Sequence, residues 1–294
     1  MRTVETPAFV KYGAYPVVAL VTATAAWWSL HAGVDLGRAY GAIFAFIAVY
    51  CIAVETFFPL DRNWRMDRRS FLRDLAFFAV GAPTIALANG LAGFVGLRVG
   101  SGLRGPLTGV SPVIAVPLAL LFFEAMNYTY HRASHELRGR LGAFLWRVHA
   151  VHHVPDKVYV LMHAVAHPIN TLVIRLTAMI LPPALLGLGP ESVFLYNLVN
   201  NLQGIVSHWN VDVRVGPWNY VLVGAELHRM HHSADPRESK NFGAVLPWFD
   251  MLFGTFVYRP GSVPERLGLE EPERYPRQGD VVALLRLPFG QRAP

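Results

Sequence analysis

The sequence predicts an all-α integral membrane protein, with about four transmembrane helices carrying a polar, histidine-rich helical cap. Three observations predict it. The chain is 53% hydrophobic and 16% charged over 294 residues, whereas soluble domains carry roughly 25% charged residues. Its apolar residues come in blocks about as long as a bilayer is thick. The histidines are not scattered either: eleven of the twelve fall between His131 and His232.

Four blocks, at about 16–34, 40–58, 74–97 and 110–129, read as spanning helices. The first follows a polar stretch with Arg2 and Lys11. It is long for a cleaved signal core, and another apolar block follows almost at once, so it reads as a membrane helix. The link between the second and third blocks carries Arg62, Arg65, Arg68, Arg69 and Arg73. The links near 35–39 and 98–109 carry only Arg38, Arg98 and Arg104. By the positive-inside rule the 60–73 loop is cytoplasmic, and so is the N-terminus. The fourth helix then returns the chain to the cytoplasm at His131. The net charge of +6, clustered at the ends of apolar blocks, suits an anionic membrane surface rather than nucleic acid.

Two further apolar stretches, about 169–188 and 190–207, are separated by Gly187-Leu188-Gly189-Pro190. If the histidines on either side act together, this pair crosses twice or not at all, as a membrane-dipping hairpin would. The expected organisation is a transmembrane anchor over 1–129, a histidine-box region over 130–260 that includes the hairpin at 169–207, and a cytoplasmic tail over 261–294. Within that tail, Val281 to Leu287 is amphipathic enough to lie at an interface. The single cysteine, Cys51, lies in an apolar block and rules out an intrachain disulfide or a cysteine-based metal site.

The histidine spacings carry the chemistry. His131 and His135 form an H-x3-H pair. His149, His152 and His153 form H-x2-H-H, and His228, His231 and His232 repeat it. On a helix, positions i, i+3 and i+4 share a face, so each box projects two or three imidazoles into one volume. Eight imidazoles exceed the needs of one ion, which makes the expected site dinuclear. Neutral imidazole suits iron, copper and zinc. Two redox-active ions side by side can bind dioxygen and deliver electrons to it, whereas zinc has no redox states. Iron is therefore the expected metal, with zinc able to take its place in purified protein.

Other residues group around the boxes. Glu124 lies seven residues before His131 on the same helical face, inside an apolar span where an ionisable group is functional by default. With Tyr128, it is a candidate to steady a ligand by hydrogen bonding. Asn197, Asn200, Asn201, Gly204 and His208 form a polar stripe whose C-terminal end points His208 at the boxes. His208 is thus a ninth candidate ligand. The asparagines, Asn201 in particular, are candidates to steady a ligand or glue helices together, and Gly204 would permit close approach. His163 and His167 form another i, i+4 pair and are further candidates, although His167 precedes Pro168 and could mark a helix boundary. His31 reads as structural and Glu136 as solvent-facing.

In these residues the chain resembles the fatty acid hydroxylase and sterol desaturase superfamily. The matching pattern is Glu124-x3-Tyr128-x2-His131-Arg132-x2-His135, Trp146-x2-His149-x2-His152-His153 and His167-Pro168. It continues with His208-x-Asn210, His228-Arg229-x-His231-His232, Asn241-Phe242-Gly243 and Trp248-Phe249-Asp250-x-Leu252-Phe253-Gly254-Thr255. The resemblance spans about 110–260. It implies a cytoplasmic helical cap holding a dinuclear iron site over a four-helix anchor, with dioxygen as co-substrate. The implied substrate is a lipid of the sterol, fatty acyl, ether lipid or carotenoid class, and the reaction is hydroxylation or desaturation of an unactivated C–H bond. The chain departs from the family where Tyr159 and Val165 replace the usual Asn and Arg, and Val158–Met162 is unusually apolar. No haem, flavin or ferredoxin motif is present, so electrons are expected from a separate donor. A metalloprotease would need H-E-x-x-H, but Gly139 occupies the final position. A membrane cytochrome would place its histidines within the spans on facing helices. A metal transporter is the non-enzymatic alternative, set against eight or nine imidazoles that favour retention over release.

Overall fold

The computed structural model describes residues 6–99 and 104–290, without the side chains of 92–99 and Met179. Arg2 and the Arg98 side chain therefore lie outside the described residues. The chain is helical, and the described residues contain no strand, only isolated bridge residues such as the pair Ser233 and Leu267. Four long helices come first: α1 (Ala8–His31), α2 (Leu36–Phe57), α3 (Arg68–Val99) and α4 (Pro112–Glu136). Asp35 caps α2 by accepting from the Arg38 amide, and Asp67 accepts from the Ser70 amide at the start of α3. Such caps satisfy amides the helix itself leaves unpaired. The outer faces of these helices present Leu20, Trp27, Trp28, Val49, Phe78 and Val113. That is the surface expected of helices whose solvent is hydrocarbon, with aromatic side chains near the ends.

After α5 (Gly139–His153) the chain enters the hairpin. Its first arm is α6 (Pro168–Arg175), a π turn at Leu176–Ile180 and α7 (Leu181–Leu186), and its second is α8 (Pro190–Ser207). The first arm, Pro168–Leu186, is itself long and apolar enough to cross a membrane, which makes five such helices with α1 to α4. The hairpin runs the length of the bundle. Its turn meets the α3–α4 loop at the end remote from the histidines, where the Leu107 amide donates to the Leu186 carbonyl. Gly187 is required there: its φ is +71°, and a Cβ would come within 2.3 Å of Thr108 Oγ1.

The histidine end gathers several distant segments. Lys11 in α1 pairs with Asp212 at 3.0 Å, so the N-terminal end and the histidine boxes share one end of the bundle. The short helices α9 (Ala225–His231) and α10 (Trp248–Phe253) lie over α4 and α8. The C-terminal segment packs back on this cap through α11 (Val281–Arg286), where Leu284 is buried against Phe77, Val151 and Tyr159. α4 runs unbroken through the expected 129/130 boundary, so the anchor and the histidine region share a helix. The apolar Val158–Met162 stretch is core: the Tyr159 hydroxyl is held by Arg73 and Asp74 at the head of α3.

Candidate metal centre

Nine histidines converge in two adjacent groups. His131, His135, His149, His153 and His231 form the first, and His152, His208, His228 and His232 the second; within each, ligand atoms lie within 4.8 Å of one another. The H-x2-H-H boxes do not each serve one volume. α5 gives His149 and His153 to the first group and His152 to the second, while the α9 box gives His231 to the first and His228 and His232 to the second. Both boxes straddle the boundary because i+3 and i+4 lie on opposite sides of residue i's radial direction. The rings of His153 and His232, one from each group, stack with centroids 4.6 Å apart.

The tautomers follow from what holds the rings. His131 Nδ1 faces the Phe242 carbonyl at 2.8 Å, His231 Nδ1 the Lys240 carbonyl at 2.8 Å, and His152 Nδ1 the Val165 carbonyl at 2.8 Å. His149 Nδ1 faces the Asn170 side-chain oxygen at 3.3 Å, which also accepts from Tyr130. A carbonyl oxygen can only accept, so each Nδ1 carries the proton and each Nε2 keeps its lone pair. The bare nitrogens of His131, His149 and His231 face one another, and that of His152 faces His208, whose Nδ1 meets the Gly204 carbonyl at 3.3 Å. His131 Nε2 lies 3.0 Å from both His149 Nε2 and His231 Nε2, and His208 Nε2 lies 3.1 Å from His152 Nε2 and 3.0 Å from His228 Nε2. Metal–imidazole bonds of about 2.0–2.1 Å put neighbouring nitrogens about 3 Å apart on a shared cation. The buried His135 Nε2 has no hydrogen-bond partner. Lone pairs converging without protons fit a cation in each group and fit little else.

Burial keeps the rings neutral. It holds His149, His153, His208, His228, His231 and His232 well below the usual histidine range, with neighbouring rings adding to the effect. Burial pushes His152 down to about 4, against the upward pull of the Val165 carbonyl. Neutral imidazole is the metal-binding form.

The remaining candidates have other partners. The Glu124 carboxylate accepts from the amides of Ala244, Val245 and Leu246 and from Asn127. It fixes the loop that offers the Phe242 carbonyl to His131, and so acts one step behind the ligand rather than on it. Asp250 ties the same loop from the other side, accepting from the Phe242 and Gly243 amides and from Thr255. The Asn-Phe-Gly and Asp-to-Thr motifs are thus one bracket. A Cβ on Gly243 would lie 2.6 Å from the Leu246 carbonyl.

Tyr128 bonds to Thr255 and stacks on Phe249 and Phe253, while Asn201 bonds to Tyr40 of α2 and to its own helix; both join elements rather than hold a ring. His167 belongs to neither group. It caps α6 by accepting from the Ile169 amide, and its Nε2 meets the Leu285 carbonyl. His163 is also outside both groups, its Nδ1 3.3 Å from His208 Nδ1 and its ring over Gly204. Gly204 thus admits a histidine ring, not a helix. Glu136 bridges Arg132 and Lys240 at the surface, and His31 stacks on Trp27 away from the cap.

Sequence reasoning missed Asn170 and the carbonyls of Val165, Phe242 and Lys240. Asn170 alone left a signal, as a polar side chain in an apolar arm. Val165 supports His152 through its backbone, so the family's arginine is not needed for that contact.

Beneath the histidines, a cavity of about 460 Å³ is lined by His131, His149, His152, His208 and His228 at one end. Its walls are Phe44, Ile52, Phe77, Phe78, Ile85 and Ile174 from the membrane helices. A separate polar cleft of about 310 Å³ reaches His135 and His153 from the cap side.

An all-α membrane protein with a buried, histidine-only centre at one end of its bundle is a well-defined class. Residues 116–255, just under half of the chain, match the family model for fatty acid hydroxylase. An ornithine lipid hydroxylase of Rhizobium tropici is 27% identical over 87% of this chain and 78% of its own length. An alkylglycerol monooxygenase of Danio rerio is 31% identical over 53% of this chain and 33% of its own. A very-long-chain aldehyde decarbonylase of Oryza sativa subsp. indica is 29% identical over 59% of this chain and 63% of its own. No solved structure matches the chain.

Proposed function

We propose that this chain is a dioxygen-dependent diiron oxygenase that hydroxylates an unactivated C–H bond of a membrane lipid. The carrying observation is the meeting of two features. Bare Nε2 lone pairs converge in two groups, and five of those histidines form one end of a cavity with apolar walls. The family match and the names of the bacterial and zebrafish relatives support the same reading.

His131, His135, His149, His153 and His231 would hold one iron, and His152, His208, His228 and His232 the other. The pair supplies activation of dioxygen for C–H oxidation. The chain's own part is to fix His131, His149, His152, His208 and His231 through oxygen acceptors, keep the nine rings neutral by burial, exclude water and place one carbon of an alkyl chain beside them. Zinc suits the same donors and would yield an inactive protein. Electrons come from a separate donor. The arginines of the 60–73 loop put the N-terminus and the histidine boxes on the cytoplasmic side, with both arms of the 168–207 hairpin crossing the membrane.

Lipid profiling of a host expressing the wild type or His152→Ala tests this. The wild type is expected to add lipids heavier by one oxygen, absent with the variant, which loses iron. Lipids lighter by two hydrogens would make the enzyme a desaturase on the same centre. Identical lipids and unchanged iron in both hosts would overturn the assignment, and metal uptake by proteoliposomes without oxygen consumption would replace it with transport.

A further inference from the structure

The cavity beneath the histidines has a second polar end. Arg175, the last residue of α6, and Asn201 of α8 line it. The Asn201 amide nitrogen donates to the Tyr40 hydroxyl of α2 and to the Asn197 carbonyl. The carbonyl fixes the amide's orientation, so the Tyr40 oxygen accepts there. Arg175 lies within electrostatic reach of Tyr40. Three elements that reach the histidine end separately thus bring a guanidinium, a phenol and an amide together.

The separation from the metal centre can be read along the helices. Asn201 precedes His208 by seven residues and Arg175 follows Asn170, which holds His149, by five, so at 1.5 Å per residue the polar cluster lies roughly 8–10 Å along the helices from the metal-site histidines. Between the two ends the walls are Phe44, Ala48, Ile52, Phe78 and Ile85. An arginine in an arm apolar enough to span a membrane is costly and marks a functional position by default. The π turn that begins at the next residue is a feature frequently found at functional sites.

We propose that Arg175 and Asn201, backed by Tyr40, form a subsite for an anionic oxygen group, a carboxylate or a phosphate, of the lipid whose alkyl portion lies along the cavity toward the histidines. The inference rests on the cavity being the substrate's. Arginine stays charged and binds such groups with two parallel hydrogen bonds, while Tyr40, behind the cavity wall, holds the Asn201 amide in place. The subsite thereby sets which carbon is oxidised, one separated from the anionic group by the length of the apolar walls.

The test is ligand binding to the full-length, metal-loaded protein in neutral detergent, without reductant so that no turnover occurs. Oleate is expected to bind roughly tenfold more tightly than methyl oleate or oleyl alcohol, the gain from a charge-assisted contact. Arg175→Gln is expected to raise the oleate Kd to that of the ester while leaving the ester's unchanged, and Arg175→Lys to keep part of the preference. Dioleoyl phosphatidate in the same series distinguishes a phospholipid phosphate from a free carboxylate by which anion shows the stronger Arg175 dependence. Equal affinities of the wild type for anions and for the neutral ligands, or an unchanged preference in Arg175→Gln, overturn the subsite. Should Arg175→Gln fail to fold, Arg175→Lys carries the test: the preference for oleate must shrink with the ester's affinity unchanged, and an undiminished preference overturns the proposal. Acid preference without lipid oxidation would leave the subsite standing and remove the hydroxylase reading; oxidation without acid preference would do the reverse.

Discussion

Two histidines whose sequence contexts look alike do different work at the residue scale. His208 ends a polar stripe and places Nε2 among His152 and His228. His167 sits at a helix boundary and spends Nδ1 on the Ile169 amide. His208→Ala is therefore expected to release the second group's metal while the first group retains its own. His167→Ala is expected to keep both metals and lose about 1 kcal/mol with the helix cap. Metal per chain by elemental analysis, beside melting temperature, separates the two. Gly243 is a second case. Gly243→Ala forces a Cβ against the Leu246 carbonyl and Asp250 and should cost about 1–3 kcal/mol, as overpacking does, with the Phe242 carbonyl drawn away from His131. The checkable outcome is a lower melting temperature together with metal lost first from the five-histidine group.

Elements decide how far the sequence could be read. The three boxes were legible because i, i+3 and i+4 neighbours meet on any helix, and His208 because its stripe has the same periodicity. The division of nine rings into five and four was not, since it depends on how α5 and α9 face α4 and α8. Glu124 announced itself as an acid in an apolar helix, but its partners, the amides of 244–246, lie about 120 positions away in the chain. The Val165 carbonyl had no signature at all, because every residue has one. This contrast is testable. Asn170→Leu removes a side chain that steadies His149 and should weaken metal affinity roughly 10–100-fold. Val165→Ala preserves the carbonyl and should leave metal affinity unchanged. Competition with a chelator reads both.

For the whole molecule, the four anchor helices were legible from block length, whereas the hairpin's reach was not. Its first arm is a fifth candidate span, and its turn touches the α3–α4 loop, so the cap's histidines converge only because both arms run the full bundle. In a Cys51→Ser background, cysteine introduced at Leu188 should react with an impermeant reagent only from the side opposite cysteine at Asp156. Labelling of both from one side would mean a hairpin that does not cross.

Together, the two histidine groups and the apolar cavity are expected to oxidise a lipid with dioxygen. The most direct measurement supplies isotopically heavy dioxygen and a reductant to the iron-loaded protein in lipid nanodiscs, followed by mass spectrometry of the bilayer. The expected product is lipid carrying one heavy oxygen atom, dependent on iron and lost in His152→Ala. Unlabelled lipid from a fully iron-loaded, reduced protein would contradict it.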